Sequence, residues 1–212
     1  MKKILLLLSI GWYALALQAQ DMKSLYAALP DSLSPLLTKV NREDFADFLD
    51  SHMKAEVKNR FDRPSEMKQL TPDYLLLQET GSNTIEMKLL PLNDSVKVIC
   101  VVTTCYAPAA DSHLSFYDTG WHPLPASRFV APPSEDEFYL PAASQAQADS
   151  VASLRRFADL YLLKASLSAD SRTLSFTYTT PDYIDKKDAA QLRSFIVKQP
   201  LRYEWKEGKF VR

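Results

Sequence analysis

Glycine is scarce in this chain, with four residues among 212. Phosphate-cradling loops cluster glycines so that backbone N–H groups can close on the ligand, and no such cluster is present. Histidine is scarcer, at three (His52, His113 and His122), and cysteine scarcest, at two. A zinc site needs several converging His, Cys or carboxylate ligands, and His52 is remote in sequence from the other two. Basic charge is not in excess: 25 Lys and Arg stand against 26 Asp and Glu, for a formal charge of −1. Without a basic stripe, nucleic-acid binding lacks its electrostatic footing. No cofactor motif is found. A Ser-His-Asp triad can draw its members from anywhere in a chain, so the sequence leaves that arrangement open, but the G-x-S-x-G elbow is missing.

Only one long apolar run exists, at the N-terminus. Lys2 and Lys3 precede the apolar stretch 4–17, and Leu17 and Ala19 supply apolar and small residues before polar Gln20 and Asp21. This order predicts a signal peptide over residues 1–19. Cleavage after Ala19 would remove two lysines and take the formal charge from −1 to −3. A spanning helix needs about 20 apolar residues, so no membrane insertion is expected once the signal is gone. The expected location is the periplasm or cell surface.

Both cysteines fall in VKVICVVTTCY, residues 96–106. This segment is β-branched and apolar on both faces, which predicts a central, covered strand. At ~3.3 Å per residue, Cys100 and Cys105 would lie about 16 Å apart and point opposite ways. A disulfide needs roughly 4.4–6.8 Å between Cα atoms, so two free thiols are expected.

Asp118, Thr119 and Gly120 spell the triplet found at the catalytic carboxylate of aspartic peptidases. That chemistry needs two carboxylates sharing a proton, and the chain carries one triplet, followed by bulky Trp121. The stretch FYDTGWH is therefore expected to be a hairpin turn, with Thr119 and Gly120 as its loop and Gly120 supplying positive φ.

The remaining pattern alternates between periods. Asn41 is expected to cap a helix presenting Phe45, Leu49, Met53 and Val57 on one face. YLLLQET and TIEMKLLP read as a hairpin in which Thr84, Glu86 and Lys88 form a wet face. Residues 131–150 read as a connection running into a helix with Val151, Leu154 and Ala158 on its core face. LYLLKASL and RTLSFTYT are strands, Asp185 caps a further helix, and LRYEWKEGKFVR closes the chain as a hairpin turning near Glu207 and Gly208. The fold class is α+β with antiparallel meanders. Residues 20–130 and 151–212 suggest two helix-plus-meander halves, within one domain or as two. Tyr117, Trp121, Tyr203 and Trp205 occupy matching places in them, either as cross-strand core pairs or as anchors on a recognition face.

The signal ending LQAQ, the helix NREDFADFLDS, the strand VKVICVVTTCYAP with LSFYDTGWHPL, and the final RYEWKEGKF together resemble a family of exported proteins of unknown function from Bacteroidales bacteria. The likeness spans nearly the whole chain but implies no activity and no site residues. More loosely, the repeated helix-plus-meander is similar to the tandem architecture of β-lactamase-inhibitor-like domains, a likeness of fold alone. The resulting expectation is an exported, non-enzymatic binding or accessory module that recognises a protein or peptide through a sheet face, with Tyr117, Trp121, Tyr203 and Trp205 as candidate anchors. A small extracytoplasmic hydrolase with a dispersed site and an envelope scaffold are the alternatives.

Overall fold

A computed structural model describes residues 21–212; the expected signal peptide lies outside the described residues. Two helices open the fold, α1 (Met22–Ala27) and α2 (Lys39–Asp50). Seven strands follow: β1 (Glu56–Lys58), β2 (Pro64–Leu70), β3 (Tyr74–Thr80), β4 (Asn83–Pro91), β5 (Lys97–Tyr106), β6 (Ala110–Asp118) and β7 (Pro123–Leu124). They pair in sequence order as one antiparallel meander. After α3 (Gln145–Arg155) come β8 (Leu163–Leu167) and β9 (Thr173–Tyr178), then α4 (Lys186–Arg193), β10 (Leu201–Lys206) and β11 (Lys209–Val211). These last four strands make a second antiparallel sheet, ordered β11-β10-β9-β8. The α+β class and the antiparallel meanders match the reading of the sequence.

The large sheet is covered on both faces, which is why β5 is apolar on both. Ile99 and Val101 pack with Met87, Leu89, Leu75 and Leu77 under α1 and α2. Val98, Cys100 and Val102 face the small sheet through Ala165, Leu174 and Phe176. Burying apolar surface contributes roughly 25 cal/mol per Å², and β5, covered on both faces, gains it from every residue between Val98 and Val102. β5 is continuous, and both thiols are free, Cys100 buried and Cys105 exposed.

Three local expectations need correction. Helix α2 starts earlier, because Thr38 and Asn41 form a reciprocal capping box, so Asn41 lies inside the helix. The helix also stops at Asp50, leaving Met53 exposed while Val57 belongs to β1. Finally, the wet face assigned to β4 is dry at its centre: Glu86 and Lys88 are 5% and 2% exposed.

That burial comes from the joint between the sheets. β8 is an edge strand, and bare edge N–H groups invite pairing with another chain. Here side chains of the large sheet satisfy them at alternate residues. Leu163 N–H donates to Asp111 Oδ1 (3.1 Å), Ala165 N–H to Ser112 Oγ (2.9 Å) and Leu167 N–H to Glu86 Oε2 (2.7 Å). The Ser166 and Tyr74 hydroxyls also donate to Glu86, while Lys88 donates to the Ala169 carbonyl and pairs with Asp73 at 2.9 Å. The two halves read from the sequence are thus unequal, seven strands against four, and the smaller one is laid onto the face of the larger.

Candidate functional site

The four candidate aromatics do not share a face. Trp121 is buried in the core beneath α1, where its indole Nε1 donates to the Leu25 carbonyl at 3.0 Å. Trp205 and Tyr203 are buried between the sheets. Trp205 Nε1 donates to the Pro91 carbonyl at 2.7 Å, and its ring meets Phe210 edge-on at 4.9 Å. Tyr203 packs edge-on against Phe176 at 5.2 Å. Tyr117 alone is half-buried, with its ring 5.6 Å from that of Trp121. Three of the four therefore sit where packing, not contact with a partner, accounts for an aromatic residue.

FYDTGWH is a turn, but a longer one than a two-residue loop. Tyr117 lies opposite Pro123, not His122. The Asp118 carboxylate accepts the N–H groups of Gly120 (2.8 Å) and His122 (2.9 Å), and its second oxygen meets His122 Nδ1 at 2.9 Å. These bonds, led by the His122 N–H, hold the carboxyl below its ordinary value. Positive φ falls on Trp121 (65°), not on Gly120. A bulky residue tolerates that conformation only when its surroundings fix it, and the buried, hydrogen-bonded indole does so. His113 and His122 are both exposed, and the Asp118–His122 pair stands in solvent at the turn. Among the described residues, no three His, Cys, Asp or Glu side chains could hold a metal ion together.

Glu86 has the features of a perturbed acid. Burial pushes its pKa above the ordinary 4.5, against the pull of the Leu167 N–H and the Ser166 and Tyr74 hydroxyls. Such groups cluster at active sites. This one is sealed between the sheets with its hydrogen bonds filled, so it reads as part of the joint.

An open site lies instead at the far edge of the large sheet. β7 pairs with β6 only at Phe116 and Tyr117. Pro125 follows, and the chain swings away into a short 3-10 turn, Ala126–Arg128. Backbone groups alternate in direction along a strand. Asp118 donates its N–H outward to the His122 carbonyl, and Phe116 lies opposite Leu124 on the same side. Leu114, Ser112 and Ala110 therefore point outward too. The Ala110 carbonyl accepts the Thr179 hydroxyl. The N–H and C=O of Leu114 and Ser112 meet no partner among the described residues. Beside them runs a groove of about 470 Å³, walled by residues 112–114, by Ala126, Ser127 and residues 130–132, and by Leu163. That size lies within the roughly 300–1,000 Å³ of ligand clefts. Its lining is largely apolar, and among the described residues His113 is its sole titratable side chain.

The aromatics drew the sequence reading away from this edge. The signal that could have found it was proline: Pro123 and Pro125 bracket Leu124, and a strand so bracketed cannot run on. Leu114 and Ser112 then had to lack a neighbour.

Comparison with known proteins gives the chain its relatives without giving it an activity. A solved structure of a domain of an uncharacterised protein from Porphyromonas gingivalis W83 superposes with a TM-score of 0.78 at 28% identity, covering 90% of this chain and 96% of that one. No match was found among curated proteins. The model of a family described as "Protein of unknown function (DUF3256)" matches residues 14–210, and the chain belongs to that family.

Proposed function

We propose that the protein is an exported, non-enzymatic binding or accessory module that holds a protein or peptide at the open edge of its larger sheet. The unpaired stretch of β6 beside an apolar groove carries this reading. The support is chemical: the groove offers backbone hydrogen-bonding groups and apolar walls, but few groups able to move a proton. Of the two nearest candidates for hydrolysis, the Ser112 hydroxyl is engaged by Thr104 at 2.8 Å and by Ala165, and His113 is exposed. The hydrolase reading therefore has less to rest on. The aromatic sheet-face variant narrows to Tyr117, the candidate that is not buried.

Export rests on the basic-apolar-small order of residues 1–19. N-terminal mass spectrometry of fractionated cells should find Gln20 at the start of the mature chain, and intact Met1 in the cytoplasm would overturn it. Binding is tested by placing a photo-crosslinking residue at Ser127 in the groove and, as a control, at Lys58 on the opposite edge strand. In native envelopes, position 127 should yield a discrete adduct that position 58 does not. Identical adducts from both positions, or none from 127, would remove the groove from the function.

A further inference from the structure

Resting on that reading, we infer that the ligand is a short extended segment of a partner protein that adds as a strand to β6, occupying the line that β7 leaves at Pro125. Apolar contact alone would not specify a strand, but the backbone does. Outward N–H and C=O groups recur at Leu114 and Ser112, two residues apart, in step with Phe116, which β7 already pairs. An antiparallel strand supplies acceptors and donors at that spacing. The slot has fixed ends. Leu124 and Pro125 close one, and the Thr179 hydroxyl on the Ala110 carbonyl closes the other. At ~3.3 Å per residue this admits about three to five residues.

The same geometry sets the ligand's side chains. Residues opposite Leu114 and Ser112 turn theirs to the side that Leu114 and Ser112 face, where Val130 and Leu163 wall the groove. The residue between them turns the other way, beside exposed His113. The recognised pattern is apolar-x-apolar, without proline at the two apolar positions, because their N–H groups must bond to β6. Charge at those positions is disfavoured, since no charged side chain among the described residues lines the groove. A second copy of the chain fits poorly. Residues 126–132 stand where a folded sheet edge would have to enter, and a two-residue pairing buries far less than the roughly 1,000 Å² of a specific interface.

The test uses the mature chain with ¹⁵N-labelled backbone. The probes are capped pentapeptides Ac-Thr-X-Thr-X-Thr-amide, with X drawn from Val, Ile, Leu and Phe, and the same set N-methylated at both X residues. At least one unmethylated peptide should shift the Ser112 and Leu114 amide signals and slow their hydrogen exchange at least tenfold. Its methylated twin should bind at least tenfold more weakly, and Ser127→Trp, which fills the groove, should abolish the effect. Strand addition is overturned if no peptide perturbs Ser112 and Leu114, or if methylated and unmethylated peptides act alike. In either case a specific adduct from position 127 would leave the groove a binding site with another mode of contact. Loss of that adduct as well would take the binding reading with it.

Discussion

Trp121 joins backbone strain, burial and a hydrogen bond in a single residue. Its φ of 65° is paid for by an indole packed beneath α1 and bonded to Leu25. Truncating a buried aromatic of this size typically costs about 3–5 kcal/mol, so Trp121→Ala should lower the urea-unfolding free energy by that order. A loss below about 1 kcal/mol, small beside typical core truncations, would mean that the residue does not secure the turn to the helix layer. The contrast with Tyr117 matters here, because the two are neighbours in sequence and in space. Tyr117→Ala should cost less stability, and it is the better variant for probing contact with a partner.

At the scale of elements, the joint between β8 and the large sheet makes stability depend on pH in a defined direction. Folded Glu86 holds its proton more tightly than the unfolded chain does, because burial raises its pKa above 4.5. Its contribution to stability is therefore full below 4.5 and declines as pH rises through the raised folded value. Glu86→Gln removes that titration. Thermal midpoints of the two proteins, compared across that window, should shift in favour of the glutamine variant as pH rises. A gap that does not change with pH would show that Glu86 does not titrate between the folded and unfolded states. Hydrogen exchange supplies a second check. The amides of Leu163, Ala165 and Leu167 should be protected like those of an internal strand, whereas Ser112 and Leu114 should exchange quickly in the free protein. The reverse order would contradict the edge assignments. The strands themselves were legible because alternation in β4 and β9 is strong, and the free thiols followed from strand parity in β5. What alternation reports, though, is the polarity of side chains, not the location of water. Thr84, Glu86 and Lys88 read as a wet face, yet the partners that bury Glu86 and Lys88 arrive some 80 residues later in the chain. Strands β1 and β2 were missed for a related reason: only pairing, of β2 with β3 and of β1 with β2, gives their mixed sequences a reason to be extended.

Across the whole molecule, the sheet edges of the described residues end in three ways. β1 and β11 are three residues long, β8 is capped by side chains, and β6 is left open where β7 stops. Short or covered edges resist unplanned association, so the open stretch of β6 stands out as the exception. The capped edge has a consequence for the order in which the chain assembles. All three capping side chains, Glu86, Asp111 and Ser112, belong to a meander whose paired strands are consecutive in sequence. Such local pairings form quickly, whereas contacts across long loops form slowly. The large sheet therefore presents its acceptors before β8 docks, and serves as the template on which the small sheet finds its register. Ser112→Ala, which leaves the Ala165 N–H without its partner, should accelerate unfolding severalfold in stopped-flow measurements while leaving the folding rate nearly unchanged. A variant that instead slows folding would place this joint in the nucleus. Should unfolding alone accelerate, the serine acts as a latch, closed last during folding and decisive for how long the native state survives.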